Sequence, residues 1–413
     1  MELREKLDRL GVAGSRTPKE PVRRGLDNLT DHVSGSECRS GSGPFYLSSS
    51  IFPENHAHGR EPIRGWFDIP ADRLSWMGRD PALSGADLRS ALFLDTETTG
   101  LAGGTGTVPF LVGIGAFDGT GFRVDQYFMR DLDEEKAALQ AVAGRLEEAG
   151  LLVTYNGKCF DAALLASRFT LRRMRTRIRE IPHVDLLFTA RRIWKRRLVD
   201  CSLSNVEDRV IGFKRQDDVP GFLIPGLYFD WLRTRNAAGL APVFRHNVWD
   251  ILALAALGSI AGRMYGRPLE SIRHPQDGIG LGRAFESLGR FETAASCYHR
   301  VLEGASGREE REEALFRLGF ALKRSGDWTA MAAVWERAAR ETRSPIRAWE
   351  ELAKYHEHRS GDLQRALEAV HAALSALDIL EAVRPEGGLT DDRDRLIRRL
   401  ERVRSKLARR SGV

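Results

Sequence analysis

The chain has 413 residues, 42% of them hydrophobic and 29% charged, the composition of a soluble globular protein long enough for two or more domains. The net charge of +6 permits a polyanionic partner without requiring one. Cys38, Cys159, Cys201 and Cys297 are scattered, with no CxxC pair, which argues against a zinc site and fits a reducing compartment.

The first stretch, MELREKLDRLGV, is charged and amphipathic and holds no apolar core for a signal peptide. The longest apolar run, Ile251–Ala261, is too short to span a bilayer. A cytoplasmic protein with no membrane partner is the expectation. Residues 1–42 read as a mobile segment: one short amphipathic helix candidate, then text rich in Arg, Gly and Ser. Residues 43–90 read as an arm packing on the domain that follows, with Phe45-Tyr46-Leu47 and Ile51-Phe52-Pro53 as short extended pieces. His56 and His58, in HAHG, have no third ligand nearby and read as loop residues.

Ala91–Leu94 is a short apolar run of the kind that forms a buried strand, and it delivers Asp95 and Glu97 at its end. Residues two apart on a strand point to the same side, so two carboxylates face one spot before Thr98, Thr99 and Gly100 make a turn. Such a pair is either a solvated strand end or a site for a hard divalent cation, whose charge relieves the repulsion. The LAGGTGT segment that follows has neither the Lys of a phosphate-binding loop nor a helix-like run after it, so it reads as a flexible turn beside the acids. Val108–Phe117 is apolar on both faces and reads as a central strand, and Phe122–Met129 as the next. Asp133–Ala149 is an amphipathic helix stopped at Gly150, and Leu151–Tyr155 a fourth strand. After the Tyr155-Asn156-Gly157 turn, Asp161–Thr170 reads as a helix with Asp161 at its start, where a capping role alone would account for a carboxylate. His183–Asp185 is a fifth strand, Ser202–Val210 a helix start and Tyr228–Leu232 a helix. HNVWD opens a further helix, where His246 and Asp250, four apart, share one face. The order is that of an α/β domain.

Two basic runs lie between these acids. One holds Arg172, Arg173, Arg175, Arg177 and Arg179; the other holds Arg191, Arg192, Lys195, Arg196 and Arg197, with Trp194 among them. They read either as a solvated face or as a phosphate track, with Arg172, Arg173, Arg191, Arg192, Lys195 and Arg196 as the candidate contacts.

Three of these segments together resemble the motifs of the DEDD exonuclease superfamily. DTETTGL is similar to the first, with Asp95 and Glu97; YNGKCFD to the second, with Asp161; HNVWD to the third, with His246 and Asp250. Within that superfamily the text most resembles the bacterial YprB-like group. The resemblance implies a ribonuclease H-like domain over residues 91–265, a mixed five-stranded sheet with flanking helices. It implies a 3′–5′ exonuclease on single-stranded RNA or DNA, in which Asp95, Glu97, Asp161 and Asp250 hold two Mg2+ or Mn2+ ions about 3.5–4 Å apart. His246 would act as general base, and Asn156 and Asn247 would orient the ligands. One feature departs from the pattern: histidine-type members place His five residues before the last Asp, whereas here the gap is four, the tyrosine-type spacing. The competing reading is a non-catalytic or weakly catalytic nucleic-acid adaptor.

Residues 275–413 read as helical. Gly289-Arg290-Phe291, Gly326-Asp327-Trp328 and Gly361-Asp362-Leu363 recur at spacings of 37 and 35, close to the tetratricopeptide period. The text resembles three such repeats, which implies a protein partner, with Trp335, Phe316, Phe320 and Trp349 as core. Asp391–Arg409 is a basic amphipathic helix that caps the array.

Overall fold

The computed structural model describes residues 29–70, 72–100, 106–304, 307–343, 345–383 and 390–410. The N-terminal helix candidate and residues 101–105 of the Gly/Thr turn lie outside them. The chain divides into two compact units: residues 1–191 with 200–266, and residues 192–199 with 267–413.

The first unit is built on a seven-stranded mixed sheet. Its strands are β1 (Ser36–Ser40), β2 (Gly43–Phe52), β5 (Ala91–Thr98), β6 (Pro109–Phe117), β7 (Phe122–Phe128), β8 (Leu151–Thr154) and β9 (His183–Asp185), in the order β1-β2-β7-β6-β5-β8-β9. A separate hairpin pairs β3 (Ala57–His58) with β4 (Glu61–Pro62). The interior strand β5 runs antiparallel to β6 and parallel to β8, which in turn is parallel to β9. The expected count of five strands is corrected to seven. One added strand, β1, comes from the end of the segment read as mobile and pairs antiparallel with β2; the other, β2, comes from the arm and pairs antiparallel with β7 from Tyr46 opposite Phe128 to Phe52 opposite Phe122. Three consecutive serines in β2 hide its alternation, but an open β7 edge would leave a row of backbone donors and acceptors unpaired, and β2 satisfies them.

Around the sheet lie α1 (Arg73–Gly78), α2 (Glu135–Glu147), α3 (Asp161–Leu171), α4 (Leu186–Trp194), α5 (Leu203–Val206), α6 (Ile224–Thr234) and α7 (Leu240–Gly266). The 27-residue α7 buries Ile251, Leu252, Leu254 and Leu257, each contributing roughly 1.5–3 kcal/mol by leaving water. The stretch Ala237–Gly266 is long and apolar enough to cross a membrane, but 78% of its most apolar window is buried inside the protein. Its apolarity serves the packing on the sheet. That packing is close because β6 carries Gly113 and Gly115 under the helix: a Cβ at 113 would lie 2.1 Å from Asn247 Oδ1, and one at 115 would lie 2.4 Å from Ile251.

The second unit is helical: α8 (Pro268–Ser271), α9 (Pro275–Ser287), α10 (Phe291–Glu303), α11 (Arg308–Ser325), α12 (Trp328–Glu341), α13 (Ile346–Tyr355), α14 (Leu363–Val383) and α15 (Thr390–Arg410). Gly289, Gly326 and Gly361 sit before α10, α12 and α14 with φ of 71°, 86° and 71°, a conformation that favours glycine. Trp335 is fully buried, its ring against Gly319 and flanked by Phe316 and Phe320 at centroid distances of 5.7 and 5.0 Å. On α15, Leu396 and Val403 are buried, and Arg399, Arg402 and Lys406 converge on the enclosed carboxylate of Glu357 at 2.6, 2.8 and 2.9 Å.

These cations hold the Glu357 carboxyl down at about 2 against the opposing effect of burial. The folded chain therefore binds that proton more weakly than the unfolded chain, and the stabilisation is present above the ordinary carboxylate range and lost as pH falls toward about 2. Glu357→Ala is expected to lower unfolding free energy by about 3 kcal/mol at neutral pH, with the difference shrinking as the pH is lowered, in urea melts of the full chain.

Candidate metal centre

The end of β5 carries Asp95 and Glu97 on one side of the sheet, with a register irregularity between Glu97 and Thr98 where the strand leaves β6. Asp161 is the first residue of α3, reached from β8 through a turn in which Asn156 adopts a left-handed φ of 65°. That turn is tied down by the buried Asp185 at the end of β9, which accepts the backbone N–H groups of Asn156 at 2.8 Å and Lys158 at 3.1 Å. The hydroxyl of Thr96 donates to Asp161 Oδ1 at 2.5 Å. From α7, Asn247 donates to Asp95 Oδ2 at 2.8 Å, and Gln126 of β7 donates to Asn247 Oδ1 at 2.9 Å, fixing which way that amide faces. Asp250 lies one helical turn beyond His246.

Electrostatics record the convergence. Burial raises the Asp95 carboxyl well above the usual range, and repulsion from Asp250, Asp161 and Glu97 raises it further, against the hydrogen bond from Asn247. Glu97 is raised likewise by burial and by Asp250 and Asp161, with the Arg215 guanidinium opposing. Asp161 is pushed up to about 6, chiefly by burial, with the Thr96 hydrogen bond opposing. Ligand atoms of Glu97, His246 and Asp250 all lie within 4.8 Å of one another. This donor set, carboxylate oxygens with one imidazole nitrogen enclosed where their own charges repel, fits a divalent cation.

The site also holds residues that the motifs do not mark. The Arg215 guanidinium pairs with Asp250 and with Glu207, and reaches Asp218 at 3.2 Å. Asp218 in turn lies 2.8 Å from His246 Nδ1. Glu207, wholly enclosed in a π-turn (Glu207–Ile211) after α5, also meets His58 Nε2 at 2.5 Å. His58 is a buried residue of β3, stacked on Phe213 at 4.2 Å, rather than a loop residue. The sequence signal was present in part: KRQDD crowds opposite charges between two elements, and Gln126 is polar inside an apolar strand.

The basic runs divide. Arg172, with Arg168, clamps the buried Glu135. Arg172 and Arg173 lie past the C-terminal end of the 11-residue α3, roughly 16 Å along the helix from Asp161. Arg173 and Arg191 are exposed in the same unit as the acids. Arg192, Lys195 and Arg196 fold with the helical unit, where Arg196 meets Glu313 at 2.5 Å and Arg197 meets Asp277 at 2.8 Å. Trp194 is core.

Residues 92–261 match the family model of the RNase_H superfamily. The chain is 29% identical over 334 residues to an uncharacterized protein, YprB, of Bacillus subtilis (strain 168), across 78% of this chain and 79% of that one. A solved structure of the family B DNA polymerase from the hyperthermophilic archaeon Pyrobaculum calidifontis aligns at 14% identity with a TM-score of 0.32, over 56% of this chain and 29% of the polymerase.

Two outcomes follow from the charges. A carboxyl raised on folding binds its proton more tightly in the folded chain, so it adds stability below the ordinary carboxylate range and removes it as pH rises through the folded value, about 6 for Asp161. In chelator, the melting temperature is therefore expected to climb as pH drops from about 8 to about 5, and Asp161→Asn to flatten that climb and melt higher at pH 8. Arg215→Met leaves Glu207, Asp218 and Asp250 without their shared cation, and chemical denaturation in chelator is expected to show a loss of about 3–5 kcal/mol.

Proposed function

We propose that the chain is a metal-dependent nuclease that hydrolyses phosphodiester bonds, a 3′–5′ exonuclease on single-stranded RNA or DNA. The observation that carries this reading is the convergence of Asp95, Glu97, Asp161 and Asp250 from β5, α3 and α7 in a ribonuclease H-like domain. Their combined charge suits two divalent ions, Mg2+ or Mn2+. When bound, such ions supply Lewis acidity at the phosphate and a water of lowered pKa. The protein's own residues do the rest. Thr96 and Asn247 fix the rotamers of Asp161 and Asp95, so two of the four ligands are preorganised by bonds that do not involve the ion. Arg215 fixes one oxygen of Asp250 and leaves the other on the side of His246 Nε2, at 3.4 Å.

Of the basic residues, Arg173 and Arg191 are the proposed backbone contacts, being exposed on the catalytic unit itself. The helical unit is proposed to be tetratricopeptide-like and to engage a protein partner. Its paired helices, and the three glycines of positive φ at matching turns, support that reading.

The test is cleavage of end-labelled single-stranded RNA and DNA by the full chain with Mn2+, with Mg2+ and with chelator, beside Asp95→Ala. A ladder shrinking from the 3′ end, metal-dependent and reduced about 1000-fold in the variant, is expected. Binding of both nucleic acids with no cleavage under any metal would replace the hydrolase with an adaptor.

A further inference from the structure

We propose that His246 is a ligand of the divalent ion and not a general base, and that Asp218 is the residue that holds it in the ligating orientation. The inference rests on the metal-dependent reading above and assigns the imidazole a different role within it.

The two ring nitrogens have different surroundings. Nδ1 lies 2.8 and 3.0 Å from the two oxygens of Asp218. A carboxylate only accepts, so Nδ1 carries the proton and donates it. The Arg215 Nη1 atom is further from Nδ1, at 3.3 Å, and 3.2 Å from Asp218 Oδ2, so it braces the same carboxylate. In the neutral ring that a metal ligand requires, Nε2 then keeps its lone pair, which faces Asp250 Oδ2 at 3.4 Å, with a Glu97 ligand atom in the same group of three inside 4.8 Å. Three lone-pair donors facing one another at these distances call for a cation among them.

An imidazole that donates one N–H to a carboxylate and turns its other nitrogen to a metal is the recurrent arrangement at metal sites, because the hydrogen bond fixes the tautomer and the ring angle. The chain spacing agrees. His246 and Asp250 are four apart on α7, so their side chains sit on one face one turn apart and can bind one ion as a pair. The departure from the five-residue gap thus has a consequence: the ring is brought alongside Asp250. A nitrogen among the carboxylates also shifts selectivity. Mg2+ takes oxygen ligands and water, whereas imidazole favours transition metals, so the site is predicted to favour Mn2+ over Mg2+.

The experiment uses the full chain loaded with one equivalent of Mn2+ and reads the metal directly. Pulsed electron spin resonance is expected to show modulation from a directly bound imidazole nitrogen. The signal should vanish in His246→Gln, and it should vanish in Glu97→Gln, which removes a partner ligand without touching the ring. Titration of free Mn2+ is expected to show about 10–100-fold weaker binding in Asp218→Asn, with the circular dichroism spectrum unchanged. Mn2+ bound tightly and released by Asp95→Asn, but with no nitrogen modulation in the unsubstituted protein, would overturn the ligand assignment and return His246 to the role of base. The missing modulation is read on the unsubstituted protein, and it leaves the nuclease reading intact. Failure of Mn2+ to bind the unsubstituted chain at all would overturn both.

Discussion

Carboxylates held together away from water repel, and the first unit is arranged around that repulsion. Asp95 and Glu97 are raised by burial and by Asp250 and Asp161, so without a cation the cluster costs the fold stability. The cluster persists because each acid is delivered by backbone that other forces have fixed. β5 is an interior strand, held by β6 on one side and β8 on the other. α7 is pressed onto β6 through glycines at 113 and 115, and that contact sets where Asn247 and Asp250 arrive. The packing determines the positions of the charges, and the charges contribute little to the packing.

The hydrogen bonds around the acids show a division of labour. Thr96 and Asn247 are neutral donors to Asp161 and Asp95, so they orient a carboxylate without competing with an ion for its charge. Arg215 is different. It places a permanent positive charge on Asp250 and shares it with Glu207 and Asp218, two acids outside the motifs. A fixed cation at the rim lowers the repulsion that must be overcome when the cluster is fully ionised, while leaving Glu97 and the second oxygen of Asp250 available.

The acids themselves were legible in the sequence because each sits in a short local pattern: a strand running into two carboxylates, a turn before a helix, a His and an Asp one helical turn apart. Their partners were not. Arg215 and Asp218 lie in irregular chain between the π-turn and α6, where no periodicity says which way a side chain points, and Lys214-Arg215 registers only as charge; Glu207 falls in a stretch read as a helix start, which does not show the π-turn that aims it. The place of β2 in the sheet was not legible for a related reason: its extended pieces could be read, but β2 is recruited by an unpaired edge of β7, a property of the partner and not of β2 itself. The basic runs misled in the opposite direction. A count of arginines does not reveal that Arg172 is spent on Glu135 or Arg196 on Glu313, and only the fold shows which cations remain exposed. In the helical unit the glycine spacing was informative because a positive φ at a turn depends on the residue itself.

His58 changes the standing of the N-terminal arm. It comes from the β3–β4 hairpin, far in sequence from the acids, yet its imidazole meets Glu207, Glu207 meets Arg215, and Arg215 meets Asp250. Glu207 is wholly enclosed, and its carboxylate cannot be left with one partner fewer without the cost of an unpaired buried charge. The π-turn that carries it is a backbone irregularity of a kind that concentrates where side chains must be aimed. The hairpin therefore belongs to the site. It supplies the last member of a hydrogen-bonded chain that sets the angle of the Arg215 fork, and through that fork the face of Asp250 that meets His246.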